Sequence, residues 1–138
     1  MKSQNGGTDR KKVLIVEDDP ETSELLKGML QRSNLEVVTV LDVFDAWLVF
    51  GDGFDVVLCD WVMPIVNGDV LYRKVQRAYP ELCERFIFMT GHRPDSEFGE
   101  SIEKFIHKIN CLILYKPFPV ADLLDAVQKV IGRQRSSE

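Results

Sequence analysis

The chain has 138 residues, of which 45% are hydrophobic and 28% are charged, and it carries a formal net charge of −5. This length fits one domain with a sizeable core, and the composition is that of an ordinary globular protein. The acidic balance argues against direct nucleic-acid binding, since a phosphate backbone requires a basic surface. Neither a membrane-spanning stretch nor a signal peptide is evident in the sequence. We therefore expect a cytoplasmic protein without a membrane partner.

The cysteines Cys59, Cys83 and Cys111 are odd in number and lie in or beside apolar segments. They form neither a Cys-x-x-Cys motif nor a cluster with histidine. We expect buried, reduced thiols, which agrees with a cytoplasmic location.

Short apolar runs, each ending at a polar residue of a different chemical type, are the main structural signal. Such runs are typical of strands buried in a parallel sheet. They are Val13 to Val16 before Glu17-Asp18-Asp19, Phe54 to Cys59 before Asp60, Phe86 to Met89 before Thr90, and Cys111 to Tyr115 before Lys116. A further strand is predicted at Leu35 to Val40.

Segments with helical spacing of apolar residues separate these runs. The first helix begins at Asp19-Pro20, an N-cap residue followed by proline in the first turn. The other helices are predicted from Phe44 to Phe50, after Gly68, from Phe98 to Ile109, and from Leu123 to Ile131 with Gly132 as the terminator.

This alternation of strand and helix predicts an α/β fold with right-handed crossovers. We expect a doubly wound, flavodoxin-like parallel sheet of five strands in the order 2-1-3-4-5, with five helices. Residues 11–133 would form this single domain, between disordered tails at 1–10 and 134–138.

The polar residues at the strand ends are expected to meet at one edge of such a sheet. The predicted order places the first and third strands side by side, so Glu17, Asp18 and Asp60 should converge. Packed carboxylates repel unless a cation neutralises them, and Mg²⁺ prefers carboxylate and phosphate oxygens. Aspartate can also accept a phosphoryl group, whose charge Lys116 could balance while Thr90 donates a hydrogen bond. The set therefore predicts a metal-and-phosphate site.

Four motifs at these strand ends give the chain a strong resemblance to the receiver domain of two-component response regulators. They are Val13-Leu14-Ile15-Val16-Glu17-Asp18-Asp19-Pro20, Asp60-Trp61-Val62-Met63-Pro64 with Gly68, Met89-Thr90-Gly91, and Lys116-Pro117-Phe118. The resemblance covers the chain from about Lys11 to Arg133. It implies a signalling switch rather than an enzyme, with a sensor histidine kinase or phosphotransfer protein as phosphoryl donor. It also implies a downstream protein partner and leaves a homodimer open.

The resemblance assigns roles to the residues that would handle the phosphoryl group. Asp60 is expected to accept it, Thr90 to sense it and Lys116 to pair with it. The bond between Lys116 and Pro117 is expected to be cis, an isomer that proline makes accessible.

The resemblance also implies a set of Mg²⁺ ligands. Asp18 and Asp60 would bind the ion directly, and Glu17 would act through water or as a further ligand. The backbone carbonyl of Val62 would coordinate as well.

The sequence departs from the family near the fifth strand. Many receivers carry an aromatic residue three positions before the lysine, where this chain has Ile113. Tyr115, on the same face of the strand, is the candidate substitute. The segment from Thr90 to Lys116 is also longer, by roughly one helical turn. Because receivers usually address partners through this face, the partner surface is the least transferable part of the resemblance.

Two other functions use similar residues. A phosphohydrolase of the haloacid dehalogenase type also combines Asp, Thr or Ser, Lys and Mg²⁺. It would need its nucleophile on the first strand and a second Asp two residues later, whereas Val62 stands two residues after Asp60. A non-phosphorylated interaction module on the same fold would not need the complete set of acids, Asp60, Thr90 and Lys116. The sequence therefore favours the phosphorylated switch.

Overall fold

The computed structural model describes residues 10–62 and 68–137. Residues 1–9 of the predicted N-terminal tail lie outside this part of the chain, as do residues 63–67. No helix within the described ranges is long and apolar enough to cross a membrane.

Strands and helices alternate along the described chain, as predicted. The strands are β1 (Lys12–Val16), β2 (Glu36–Val40), β3 (Val56–Asp60), β4 (Phe86–Thr90) and β5 (Leu112–Tyr115). The helices are α1 (Pro20–Gln31), α2 (Val43–Val49), α3 (Gly68–Ala78), α4 (Glu97–Lys108) and α5 (Val120–Ser137). Short 3₁₀ turns at Phe50–Asp52 and Pro80–Arg85, which apolar spacing did not predict, lead into β3 and β4.

The strands form one parallel sheet in the order β2-β1-β3-β4-β5. Strands β3 and β4 are buried along their whole length. Such burial is expected where helices cover both faces of a parallel sheet. The predicted doubly wound fold and its strand order are confirmed.

The sheet separates two hydrophobic cores, because successive side chains of a strand point to opposite faces. On one face, Leu14, Val57 and Phe88 belong to a core that includes residues of α2, α3 and α4. On the other face, Ile15 and Leu58 share a core with α1 and α5. Each fully buried side chain of this kind contributes roughly 1.5–3 kcal/mol to folding. The two cores hold the strand ends in fixed relative positions.

The turn between β1 and α1 has the predicted cap. The Asp19 side chain accepts a hydrogen bond of 3.1 Å from the backbone N–H of Thr22, and Pro20 is in the first helical turn. Hydrogen bonds from Thr22, led by that of its hydroxyl, lower the pKa of Asp19. Asp19 therefore ends the acidic run as a helix cap, as the sequence predicts.

The C-terminal helix is longer than predicted. The sequence favours an end near Gly132 and a tail from residue 134, whereas α5 continues to Ser137. The Gln134 amide donates hydrogen bonds of 2.7 Å to the Asp55 carbonyl and 3.3 Å to the Val130 carbonyl. A glycine inside a helix costs only about 1 kcal/mol, so an anchored segment can continue past it.

The three cysteines are free thiols, as predicted. Cys59 and Cys111 are buried, whereas Cys83 is only half-buried. Burial raises the pKa of Cys111 to about 11, so this thiol stays protonated near neutral pH.

Gly99 provides a test of the packing between α4 and the loop before it. A Cβ at Gly99 would overlap the carbonyl oxygen of Arg93, and it would approach Ser96 Oγ to 2.9 Å. Ser96 holds this loop by donating to that carbonyl and accepting from the Gly99 N–H. We expect Gly99→Ala to lower the free energy of unfolding by about 1–3 kcal/mol, measured by urea denaturation.

The matched control is Gly28→Ala in α1, where nothing lies within 4 Å of the added Cβ. This substitution should raise the free energy of unfolding by roughly 0.5–1 kcal/mol, since alanine loses less backbone entropy in a helix. Equal effects at the two glycines would contradict the close packing at Gly99.

Candidate functional site

Backbone hydrogen bonds continue past the ends of the central strands and position the site. The Trp61 N–H donates to the Met89 carbonyl at 2.8 Å, and the Lys116 N–H donates to the Thr90 carbonyl at 2.7 Å. The residues that follow β3 and β5 are therefore tied to β4. The peptide bond between Lys116 and Pro117 is cis, as expected.

The three predicted acidic residues converge at this edge. Glu17, Asp18 and Asp60 each offer a carboxylate oxygen, and these oxygens lie within 4.8 Å of one another. Glu17 and Asp60 are buried, with exposed fractions of 1% and 7%, whereas Asp18 is exposed. All donors are carboxylate oxygens, a set that suits a hard cation such as Mg²⁺.

Lys116 supplies the positive charge inside this cluster. Its Nζ lies 2.7 Å from Glu17 Oε1 and 3.4 Å from Asp60 Oδ1. Burial alone would lower the pKa of the ammonium group, but the hydrogen bond to Glu17 and the nearby carboxylates outweigh it and raise the pKa. Lys116 therefore stays charged and partly offsets the repulsion between the two buried acids.

Both carboxylate oxygens of Glu17 are already engaged. Oε1 accepts from Lys116, and Oε2 accepts from the backbone N–H of Asp19 at 3.1 Å. The contact of the Asp19 amide was not predicted from the sequence, because almost any residue at this position would supply the same backbone N–H. These two bonds fix the orientation of Glu17 beside Asp60.

The pKa of Asp60 is raised. Burial is the main cause that raises its pKa to about 7, and the charge of Glu17 adds to it. Lys116 acts in the opposite direction without cancelling the rise. The charged form of Asp60 is therefore disfavoured by burial and by Glu17, and a cation beside it would favour that form.

Thr90 is buried at the end of β4 with its hydroxyl tied to the following loop. Its Oγ1 accepts a hydrogen bond of 3.1 Å from the backbone N–H of His92. The hydroxyl hydrogen remains able to donate to another oxygen. The imidazole of His92 lies 5.4 Å from the ring of Phe98, measured between centroids. Thr90 therefore connects the strand end to the beginning of α4.

Trp61, next to Asp60, is packed rather than open to solvent. Its ring meets Phe88 and Phe105 edge-on, with centroid distances of 5.2 and 5.5 Å. A Cβ at Gly68 would come within 3.0 Å of the indole, so this glycine gives Trp61 room. The sequence pattern does not reveal these aromatic partners of Trp61.

Tyr115, the candidate aromatic of the switch, is bound to α4. Its hydroxyl donates a 2.6 Å hydrogen bond to Glu103 Oε2. Burial and Glu103 raise the pKa of Tyr115 to about 12. Ile113, two residues earlier, packs against the core on the α4 side of the sheet. Tyr115 as a substitute for the usual aromatic stays a hypothesis.

The family comparison agrees with this geometry. The model of the response regulator receiver domain family matches residues 13–128, which include every predicted residue of the site. The chain belongs to this family. Receiver domains are signalling switches, not classical enzymes.

The curated relatives of this chain include longer regulatory proteins and one protein that the match covers almost completely. The chain is 37% identical to the transcriptional regulatory protein CpxR of Escherichia coli (strain K12) and 29% identical to the nisin biosynthesis regulatory protein NisR of Lactococcus lactis subsp. lactis. Each match covers 92% of this chain, but only 52% of CpxR and 53% of NisR, so the chain spans about half of their length. The response regulator receiver protein CpdR of Brucella abortus (strain 2308) is 26% identical, over 88% of this chain and 97% of CpdR.

Solved structures show the same fold. A response regulator receiver domain protein from Clostridium thermocellum has a TM-score of 0.81 at 23% identity, over 93% of this chain and 99% of that one. The chemotaxis protein CheY4 of Vibrio cholerae has a TM-score of 0.74 at 24% identity, over 88% of this chain and 98% of that one. The receiver fold thus holds at low sequence identity.

The acidity of Asp60 predicts a pH-dependent effect of Asp60→Asn in the metal-free receiver domain. The folded-state pKa is raised from 3.8 to about 7, so the stability contribution of Asp60 is present at acid pH and is lost as pH rises through about 7. Asparagine does not ionise, so the variant does not lose stability at this position as pH rises. We expect the stability of the variant minus that of the wild type to increase by roughly 2–3 kcal/mol between about pH 5 and about pH 8.

Urea unfolding in the presence of a chelator measures this difference. Asp125→Asn is the control, because Asp125 lies on α5 outside the carboxylate cluster and forms an exposed ion pair with Lys129. Its stability difference from the wild type should change little between the two pH values. A similar change in both variants would show that Asp60 is not the group responsible.

Proposed function

We propose that Asp60 accepts a phosphoryl group from the phosphohistidine of a sensor histidine kinase or a phosphotransfer protein, with Mg²⁺ bound beside it. The observation that carries this proposal is the position of Asp60, 3.4 Å from the Lys116 ammonium and within a cluster of three carboxylates. A strand-end aspartate that only formed a turn would need neither the burial nor these neighbours.

In the transfer, a carboxylate oxygen of Asp60 forms a bond to phosphorus as the phosphorus–nitrogen bond of the donor breaks. The donor histidine keeps the electron pair of the broken bond and becomes a neutral imidazole after proton exchange. Asp60 must be deprotonated to attack, and its pKa of about 7 makes this form accessible near neutral pH. Lys116 pairs with the phosphoryl oxygens, and Thr90 donates a hydrogen bond to one of them.

Asp18 and Asp60 are the proposed direct protein ligands of Mg²⁺, together with the Val62 carbonyl. Since both oxygens of Glu17 already accept hydrogen bonds, we assign Glu17 to contact through water. When bound, the ion offsets the charge of the carboxylates and of the phosphoryl oxygens. Glu17 meanwhile keeps the Lys116 side chain directed at the site.

The switch itself would begin at Thr90. Its Oγ1 accepts from the His92 N–H in this structure, so a new bond from the hydroxyl to a phosphoryl oxygen pulls on the loop that leads to α4. The Tyr115–Glu103 hydrogen bond links the end of β5 to the same helix. We propose that phosphorylation shifts the population of conformations of this face, which then binds a downstream protein.

The setting of the domain is also proposed. The relatives include regulatory proteins and, at 26% identity over 88% of this chain, the sensor kinase CckA of Brucella abortus (strain 2308), of which the match covers 13%. A stand-alone regulator, a phosphorelay intermediate and the receiver of a hybrid kinase all fit the site. We propose a cytoplasmic location, without direct contact of this domain with nucleic acid.

The proposed chemistry predicts a fluorescence response from Trp61. Beryllofluoride with Mg²⁺, a mimic of the phosphoryl group, should change the emission of Trp61 in a Trp47→Phe background, because Trp61 follows the acceptor directly. Asp60→Asn should abolish the response. Acetyl phosphate should add one phosphoryl mass to the wild type and none to this variant.

Asp19→Asn is the matched control, since Asp19 is a neighbouring exposed acid that caps α1 and asparagine caps helices equally well. This variant should keep both the response and the mass gain. A wild-type protein that binds no Mg²⁺ and gains no mass would falsify the proposal, and rapid turnover of small phosphoesters would favour a hydrolase instead.

A further inference from the structure

Helix α2 carries large apolar side chains on the protein surface. Phe44, Trp47 and Leu48 have exposed fractions of 62%, 38% and 80%. We call these three residues the α2 patch. Beside it, a groove of about 480 Å³ runs between α2 and α3 and is lined in part by Leu71 and Lys74. A contiguous apolar patch of this kind marks an interaction surface more often than an isolated exposed residue does.

The α2 patch is held by the core beneath it. The Trp47 ring packs edge-on against Phe50 and Tyr79, with centroid distances of 5.8 and 5.7 Å. The Asp42 side chain caps α2 by accepting from the Asp45 N–H at 2.9 Å. Aromatic side chains that are already ordered lose little entropy on binding, which favours them as interface anchors.

Opposite charges flank the α2 patch. Lys74 lines the groove on the α3 side. Helical geometry, with about 100° between successive residues, places Asp45 beyond Leu48 on the side away from α3. Over the described part of the chain, the ion pairs include neither Asp45 nor Lys74. The apolar patch is thus bounded by one acid and one base that lack ion-pair partners among the described residues.

We propose that the α2 patch is the contact surface of a symmetric homodimer. In a two-fold interface the same surface meets itself, and with the axis between the two charged edges each edge faces the opposite edge of the other copy. Asp45 then lies opposite the partner's Lys74, while Lys74 lies opposite the partner's Asp45. A patch with one sign of charge on each side is self-complementary under this symmetry, which is the argument for a second copy as the occupant.

The interface lies on α2 and α3, and it does not depend on the chemistry at Asp60. The Asp60→Asn variant should therefore form the same dimer as the wild type. Its dimerisation separates a failure of this inference from a failure of the proposed phosphoryl transfer.

Reciprocal charge reversal tests the proposal. Asp45→Lys alone and Lys74→Asp alone should each weaken self-association by about tenfold or more, because both contacts of the dimer become repulsive. A mixture of the two variants should recover the wild-type association, since each lysine then faces an aspartate. Analytical ultracentrifugation over a concentration series measures all three samples.

Leu48→Ser should also weaken the dimer, because it removes the most exposed apolar side chain of the patch. Leu25→Ser is the matched control, since Leu25 is 61% exposed on α1 and should leave association unchanged. Circular dichroism verifies that each variant is folded. A wild type that stays monomeric throughout the series overturns the proposal, as does a mixture of the charge variants that fails to associate.

Discussion

The site depends on one ammonium group placed between two buried carboxylates. Without Lys116, Glu17 and Asp60 would repel each other in a region with little water to screen them. Removing one member of a buried ion pair commonly costs about 3–5 kcal/mol, because the remaining charge is left uncompensated. The end of β5 must therefore lie close to the ends of β1 and β3. The parallel sheet, with its two cores, meets this requirement by placing those strand ends at one edge.

The strand order and the convergence of the acids with Lys116 were predictable because each strand is a short buried run that ends abruptly. In a parallel sheet, such ends determine which side chains can meet. The meeting of Glu17, Asp60 and Lys116 at one edge therefore followed from residue type and position alone. The contacts that orient the residues of the site involve backbone groups, such as the Asp19 and His92 amides, which any residue could supply. Sequence patterns carry no signal for those contacts.

The end of α5 and the surface of α2 show a second kind of limit. Gly132 is a common helix terminator, but tertiary hydrogen bonds of Gln134 keep the helix intact beyond it. The apolar residues from Phe44 to Phe50 predict a helix, yet their spacing does not say which of them the neighbouring helix leaves uncovered. Phe50 is buried and Leu48 is exposed, a difference set by the position of α3. Local sequence patterns specify where helices and strands form. Packing between these elements decides which of their residues are buried.

The hydrogen bond from the Lys116 N–H to the Thr90 carbonyl joins the two residues that are proposed to act on the phosphoryl group. Thr90 ends β4 and Lys116 follows β5, 26 positions later in the sequence numbering, yet this backbone contact joins them. A displacement of Thr90 toward an oxygen in the site must stretch this contact or carry the backbone of Lys116 with it. In the proposed switch, the residue that detects the added charge and the residue that neutralises it would therefore move together.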